Sequence, residues 1–307
     1  MPNVWTHIHF GETVIEKTGL LRLDHETGPY FRFGTQGPDP FFYHNFWPWK
    51  STPVAEVGDR IHHEHCGQFL MKLVQFTKMR LDDRKLIAFT TGFITHHILD
   101  RNAHPYIIYR SGNENNRHQK LEILIDTLLM KELRGIETWN TPVYKQLYIG
   151  GSLQTSVKEM LSEAIDAYFH DLHKQLPSNY IERSYEQMQQ ALKVLYDPLG
   201  WKYKLLKDRI EPFSYQKDIE SGDFLNETKT RWIHPAQPDE HSEQTFYDLL
   251  DQAERECADI LQELGAYWFE NSEDAFDRLE QKIGNISYDS GKDCTLPLEN
   301  RHFEPML

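Results

Sequence analysis

The chain has 307 residues, of which 39% are hydrophobic, and a formal net charge of −14. This length and composition are sufficient to bury a large core, as one big domain or two fused ones. The acidic balance, without a basic stripe, argues against binding of duplex nucleic acid. No run of about 20 apolar residues occurs, so we predict no transmembrane segment.

The negative charge is concentrated near the C-terminus. Between Asp239 and Lys282 there are 14 acidic and 3 basic residues, and we expect a solvated outer face there, or a surface for a partner or for a second copy of the chain. The three cysteines, Cys66, Cys257 and Cys294, are widely spaced and are expected to be reduced core residues of a cytoplasmic protein. The opening residues MPNVWTHIHFGE lack the pattern of a secretory signal, which favours the same prediction.

The first predicted element is a helix over residues 4–15, which contains His7 and His9. Downstream, nine of the twenty residues from Tyr30 to Trp49 are aromatic and three are proline. This mixture predicts an irregular loop, which either plugs the core or forms an apolar wall beside a cleft. Within it, Asp39 lies between two prolines that fix the backbone around its carboxylate.

Three histidines, His62, His63 and His65, precede an amphipathic helical stripe that runs through residues 69–74. Such a run is either a solvated cluster near a helix start or a source of one metal ligand. The residue types alone do not select one of the three.

The next two predicted helices carry paired ligand-type side chains. His96 and Asp100 are four residues apart, as are His118 and Glu122, so the members of each pair share one helical face. His104 follows the first pair, and the proline after it is expected to end the helix there. An isolated buried histidine more often satisfies a hydrogen bond. Two such pairs and a linking histidine instead indicate the ligand set of zinc and related divalent metals.

Beyond residue 130 the apolar spacing predicts further helices, with stripes over residues 157–172, 185–195 and 246–264. The polar stretch at 235–244 is predicted to be a connector or a helix start. We therefore predict an all-α, multi-helix bundle. Residues 1–130 would form a metal-binding helical core, and residues 131–307 would add helices packed on it in the same domain.

The run THHILDRNAHP, followed by RHQKLEILIDTL, resembles the zinc-dependent phospholipase C family. The helical core of that family carries His-x3-Asp, a downstream His, and His-x3-Glu followed by an apolar-Asp-Thr turn. Fungal single-strand-specific zinc nucleases share this core. The resemblance implies two or three bound zinc ions, or other divalent transition metals, and hydrolysis of phosphodiester bonds by a metal-activated water.

The resemblance also implies which residues bind a first metal ion. Asp100 matches a carboxylate that bridges two metals, and the family spacing favours His96 over His97, which helix geometry alone does not exclude. Asp39 would be a further ligand. One of the three clustered histidines would complete the set, and His62 is preferred to the other two.

A second and a third metal ion are implied in the same way. His104, His118 and Glu122 match the ligands of a separate metal. A third ion would take Asp100 and an N-terminal histidine, for which His7 fits better than the histidine two residues later. The secreted phospholipases begin with a Trp whose amino group and carbonyl bind metal. In this chain Trp5 is internal and Met1 comes first. The number of ions, two or three, therefore stays open.

The resemblance implies catalytic roles for two carboxylates. Asp100 would hold two metals, and Asp39 would orient or deprotonate the attacking water unless it serves only as a ligand. The aromatic stretch would contact an acyl chain or a stacked base, for example through Tyr43 or Trp47. The nearest basic residues along the sequence that could meet a phosphate are Arg32, Lys50 and Arg60.

Three functional hypotheses follow. The first is a phospholipase C-like hydrolase of a small-molecule or lipid phosphodiester. The second is a single-strand nuclease or nucleotidase that uses the same metals and stacks bases on aromatic residues. The third is a non-catalytic protein in which saturated zinc sites only join helices.

Overall fold

The computed structural model describes residues 3–46, 52–112, 114, 116–206, 210–270 and 272–307. It is 62% helical, which confirms the predicted all-α class. In chain order the helices are α1 (Val4–Thr18), α2 (Thr27–Gly34), α3 (Pro53–His63), α4 (Cys66–Lys78), α5 (Arg84–Ser111), α6 (Arg117–Arg134), α7 (Thr155–Tyr168), α8 (His170–His173), α9 (Tyr180–Leu195), α10 (Trp201–Leu206), α11 (Phe246–Phe269) and α12 (Glu273–Ile283). Short 3-10 helices span Asp39–Tyr43, Thr138–Asn140, Val143–Lys145 and Glu211–Phe213.

Two short strands interrupt the helical C-terminal region. β1 (Trp232–His234) and β2 (Gln237–Ser242) are antiparallel, with an irregularity in register between Ile233 and His234. The prediction of a connector or helix start at 235–244 was therefore wrong. Backbone pairing with β1 across the turn at residues 235–236 makes this polar stretch a strand. Helical spacing of apolar residues does not reveal such pairing.

Helix α5 is the centre of the bundle. Every residue of this helix from Leu86 to Ser111 is buried, and the helix contacts α1, α2, α4, α6, α7 and α11. A helix that is buried on all sides belongs to the interior of a large domain. Because α11 packs on both α5 and α1, residues beyond 130 share one continuous core with the N-terminal helices. No helix among the described residues has the length and apolarity to cross a bilayer.

The predicted end of α5 at His104 was wrong, because the helix continues through Pro105 to Ser111. A proline inside a helix removes one backbone hydrogen bond, here to the carbonyl of Arg101. That carbonyl faces Gly291, at which a Cβ would overlap it. Burial of the last two turns of α5 offsets the cost of the proline.

Part of the aromatic stretch is regular, contrary to the prediction of an irregular loop. Its first residues belong to α2, and a 3-10 helix begins at Asp39, while Trp47 and Trp49 lie outside the described residues. The aromatic side chains of α2 are buried against the core, and both described prolines come after that helix ends. Burial of these aromatic side chains therefore favours a helix over an irregular loop in the first part of the stretch.

Helices α2 and α5 cross with their backbones in close contact. A Cβ on Gly34 would overlap the carbonyl oxygen of Phe89, and a Cβ on Gly92 would overlap that of Phe31. Glycine at both positions allows the two backbones to approach this closely. The crossing fixes the chain that follows α2, which leads directly to the candidate site.

After α12 the chain folds back onto α3 and α4. We call residues Asn285–Cys294 the C-terminal loop. The amide of Gly67 donates to Asn285 (3.2 Å), and the amide of Tyr288 donates to the carbonyl of His62 (3.1 Å). All three cysteines are free, but the Sγ atoms of Cys66 and Cys294 lie only 3.2 Å apart. The loop thereby brings the distant C-terminal region to the ends of helices close to the candidate site.

We expect Gly34→Ala to lower the free energy of unfolding by about 1–3 kcal/mol, because the added methyl group overlaps a backbone carbonyl that cannot rotate away. Chemical denaturation measures this change. Gly28, in the same helix, has open space at its Cβ position, so Gly28→Ala is the matched control and should be neutral or slightly stabilising. Equal effects of the two substitutions would contradict the close helix crossing.

Candidate metal centre

Three candidate ligands occupy successive turns of α5. His96, Asp100 and His104 are each four residues apart, which separates them by about 6 Å along the helix axis and keeps them on one side. All three side chains are buried. The uninterrupted helix from His96 to His104 therefore aligns these three side chains.

The structure brings two groups of donors together around His96. Its Nε2 lies 3.0 Å from Asp100 Oδ2 and 3.9 Å from Asp39 Oδ1. His7 Nε2 lies 3.2 Å from Asp100 Oδ1, and His62 Nε2 lies 3.6 Å from Asp39 Oδ1. The two groups therefore share the imidazole of His96.

A third group lies where α5 and α6 meet. His104, His118 and Glu122 each offer a donor atom within 4.8 Å of the others. His118 Nε2 and Glu122 Oε1 are 2.7 Å apart. His104 Nε2 also lies 4.0 Å from Asp100 Oδ1, so Asp100 is placed between this group and the one that contains His7.

The spacing of these atoms fits a shared cation better than direct bonding. Ligand atoms around a tetrahedral zinc are about 3.3 Å apart, given Zn–N and Zn–O distances of about 2.0–2.2 Å. Among the residues that the structure describes, His7 Nε2, His96 Nε2, Asp39 Oδ1 and both oxygens of Asp100 have no hydrogen-bond partner, although they are buried. Buried polar atoms without partners are costly, and a bound metal would give each of these atoms a bond.

The other ring nitrogen of several histidines contacts a backbone carbonyl. His96 Nδ1 lies 3.0 Å from the carbonyl oxygen of Thr35, His62 Nδ1 lies 2.6 Å from that of Gly58, and His104 Nδ1 lies 3.0 Å from that of Tyr288. A carbonyl accepts only, so these contacts place a proton on Nδ1 and leave the lone pair on Nε2. This is the usual arrangement of histidines that bind metal.

Electrostatics also favour the ligand form of most of these groups. Burial lowers the pKa of His7 to about 4 and that of His62 to about 3, so both imidazoles are neutral at pH 7. Burial alone would raise the pKa of Asp100, but neighbouring imidazoles, His96 foremost, hold it well below its usual value.

The pKa values of Asp39 and His96 shift in the opposite direction when no cation is present. Burial raises the pKa of Asp39 to about 8. Burial would lower the pKa of His96, but Asp100 and Asp39 raise it overall. The nearby carboxylates therefore favour a proton on His96, and a bound cation would compete with that proton for the same position.

The structure places the alternative histidines away from the shared donors. His9 accepts a hydrogen bond from Arg134 (2.7 Å). His63 Nε2 lies 2.8 Å from Asp289 Oδ2. The ring of His65 stacks near Tyr168, and His97 Nε2 lies 2.8 Å from the carbonyl of Ile286. These positions agree with the preference for His7, His62 and His96.

Several residues that shape the centre were not predicted from the sequence. Asp126 accepts from the backbone amides of Trp5 (2.9 Å) and Thr6 (3.0 Å), and so fixes the start of α1 beside His7. A Cβ on Gly37 would overlap the ring of His96. The Asp-Thr pair near the end of RHQKLEILIDTL was the one available sequence signal for Asp126.

Tyr288 and Asp289 of the C-terminal loop were also missed. The fully buried ring of Tyr288 lies 4.8 Å from that of His62. Asp289 Oδ1 lies 3.0 Å from His104 Nδ1. No spacing pattern connects these residues with ligands more than 180 positions earlier, so only the fold reveals them.

The surroundings of the centre include one exposed aromatic side chain. Phe42 is 41% exposed, and its ring lies 5.5 Å from that of His62. Tyr43 is partly buried against Phe46, and Trp47 and Lys50 lie outside the described residues. Arg32 donates to Glu12 (2.6 Å) and Arg60 to Glu64 (2.7 Å), so each of these basic residues is already paired with a carboxylate.

The comparison with known families agrees with this constellation. The family model described as zinc-dependent phospholipase C matches residues 6–182. The chain belongs to the zinc-dependent phospholipase C family. All eight candidate ligands lie within the matched residues, whereas the C-terminal loop lies outside them. No curated protein and no solved structure matches the chain.

We expect His62→Ala to lower the zinc content of the purified phospholipase-family protein, because Nε2 of His62 faces Asp39 and His96. Metal analysis by mass spectrometry gives the number of ions per chain. His63→Ala is the matched control, since this neighbouring histidine is directed towards Asp289, and it should retain the full metal content. Loss of zinc in the control alone would assign the ligand to His63 instead.

Proposed function

We propose that this protein is a metal-dependent hydrolase of phosphodiester bonds, with a phospholipid or a related small phosphodiester as its substrate. The observation that carries the proposal is the pair of buried donor groups that share His96, with Asp100 placed between them and the third group. Membership of the zinc-dependent phospholipase C family supports the zinc requirement and the reaction class.

The proposed ligands are divided among three positions. His62, Asp39 and His96 would hold one ion, and His104, His118 and Glu122 would hold a second. His7 would hold a third ion with Asp100, whose two oxygens face different groups. Bound zinc supplies positive charge for the phosphate oxygens and lowers the pKa of water towards neutrality. The chain itself supplies a rigid, buried frame that keeps these side chains in place without substrate.

We propose that Asp39 accepts the proton of the attacking water. Its side chain, 11% exposed, is the least buried member of its group, which also contains His62 (5%) and His96 (0%). Its Oδ1 lies among buried imidazoles without a hydrogen-bond partner within the described part of the chain. With Oδ1 directed to the ion, the second carboxylate oxygen, Oδ2, could accept the proton of the attacking water while the oxygen of that water approaches phosphorus.

Phe42 gives the site an apolar edge. Its ring is partly exposed beside His62 and packs over Gly58, where a Cβ would lie 3.1 Å from it. An apolar surface next to a phosphate-binding centre fits the glycerol backbone or the start of an acyl chain of a phospholipid. The same ring could stack on a base, so the nuclease hypothesis is an outcome of the substrate test below.

We expect Asp100→Asn to reduce hydrolysis by at least about 100-fold and to remove at least one metal equivalent, because loss of a direct ligand should exceed the 10–100-fold effect typical of outer contacts. Activity is measured on a phospholipid, a soluble phosphodiester and single-stranded DNA with one preparation. Asp59→Asn, an exposed neighbour of the site, is the control and should retain wild-type activity.

Three results would separate the hypotheses. Cleavage of single-stranded DNA alone would favour the nuclease. Zinc binding without hydrolysis of any of the three substrates would favour a structural metal. Full turnover and full metal content in Asp100→Asn would overturn the proposed role of this carboxylate.

We expect Phe42→Ala to raise KM for a long-chain phospholipid several-fold and to change kcat little, since the ring would contribute binding and no chemistry. A short soluble phosphodiester serves as the comparison substrate and should show an unchanged KM. An equal loss on both substrates would contradict an apolar contact with the lipid.

A further inference from the structure

The C-terminal loop contributes a carboxylate that contacts a candidate ligand directly. Asp289 Oδ1 lies 3.0 Å from His104 Nδ1, and Asp289 Oδ2 lies 2.8 Å from His63 Nε2. The side chain of Asp289 is 25% exposed, whereas that of His104 is 2% exposed. Asp289 therefore bridges an exposed histidine and a buried one.

Two acceptors converge on His104 Nδ1. The carbonyl oxygen of Tyr288 lies 3.0 Å from this nitrogen, the same distance as Asp289 Oδ1. Nδ1 must therefore carry the proton, and the lone pair is on Nε2. That nitrogen is buried, and within the described residues it has no hydrogen-bond partner.

The two acceptors have different effects on the imidazole. The neutral carbonyl is sufficient to fix the tautomer, because it accepts one proton. The carboxylate adds negative charge, which makes Nε2 more basic and a stronger metal ligand. Carboxylate–histidine–metal arrangements of this kind are common, and loss of the carboxylate typically weakens metal binding by about 10–100-fold.

The position of Asp289 in the chain makes this contact specific to the present fold. The family match ends at residue 182, and the C-terminal loop reaches the site only because it is anchored to α3 and α4. The amide of Tyr288 donates to the carbonyl of His62 (3.1 Å), and the Ser287 hydroxyl donates to the same oxygen (3.1 Å). The loop is thus anchored on the backbone of His62, which is itself a candidate ligand.

We propose that Asp289 is a positioning residue of the metal centre, which orients His104 and strengthens Nε2 as a ligand of the metal shared with His118 and Glu122. This inference rests on the proposed function in one respect, namely that His104 binds metal. It assigns a role at the site to a part of the chain outside the family match.

The test is the zinc affinity of Asp289→Asn, measured by competition with a chromophoric chelator. We expect one zinc equivalent to dissociate at a free-zinc concentration about 10–100-fold higher than in the wild type. The remaining zinc should be retained more nearly as in the wild type, because Nε2 of His7, His62 and His96 faces Asp100 or Asp39 and not Asp289.

Two control variants separate the His104 contact from the rest of the loop. His63→Gln removes the outer partner of Asp289 and leaves the contact with His104, so its zinc affinity should equal that of the wild type. Asp293→Asn changes a carboxylate of the same loop that accepts from Thr295 (2.8 Å), and it should also bind zinc normally. Asp289→Glu retains the charge and should recover part of the affinity.

A measurement on the unsubstituted, metal-free protein tests the premise that Nδ1 of His104 carries the proton. Nitrogen-15 NMR of the imidazoles distinguishes a proton on Nδ1 from a proton on Nε2, and we expect the Nδ1–H form for His104. The Nε2–H form would overturn the inference even if Asp289→Asn did not fold.

The outcomes also distinguish this inference from the proposed function. A wild-type protein that binds no zinc would contradict the proposed function. A wild type that binds zinc and hydrolyses phosphodiesters, with an Asp289→Asn variant of equal affinity for every ion, would overturn only the role of Asp289. Equal weakening in His63→Gln and Asp289→Asn would assign the effect to loop anchoring and would also overturn it.

Discussion

The structure depends on a buried carboxylate that is surrounded by imidazoles. Asp100 is fully buried, and three histidines from α1 and α5 are directed towards it. A charged carboxylate in this setting is costly unless positive charge accompanies it. The carboxylates raise the pKa of His96, and a bound metal ion would supply further positive charge. Folding and metal binding would then be coupled through Asp100.

Much of the scaffold serves to hold the partners of Asp100 in place. The crossing of α2 and α5 brings the carbonyl of Thr35 to His96, and Asp126 fixes the amides at the start of α1. The C-terminal loop brings acceptors to His104. Elements distant along the chain thus position His7 and fix the ring orientations of His96 and His104. A site built from such fixed side chains requires little rearrangement when substrate binds.

The sequence predicted the parts of this arrangement that depend on local geometry. Two His-x3-acid pairs on helices, a histidine one turn after the first pair, and the resemblance to the family were sufficient to select the eight candidate ligands. Helix class and the major apolar stripes followed from the spacing of hydrophobic residues. In each case the relevant residues lie within a few turns of one another, where helical periodicity applies.

The predictions that were wrong concern competition between local preference and tertiary packing. Pro105 was expected to end α5, but the surrounding helices bury both turns beyond it. The aromatic stretch was expected to be irregular, although its first part is helical because its rings are buried in the core. The contacts of Tyr288 and Asp289 with His62 and His104 were not predicted, since no local rule links residues so far apart.

The alignment of ligands along α5 has a consequence for how this segment can evolve. Each residue turns the helix by about 100°, so inserting or deleting a single residue between His96 and His104 would move one ligand to a different side of the helix. Conservative replacement of the intervening side chains does not change the side of the helix on which each ligand lies. We therefore expect natural variation in this segment to consist of substitutions at constant length, and length changes to occur in the connections between helices instead.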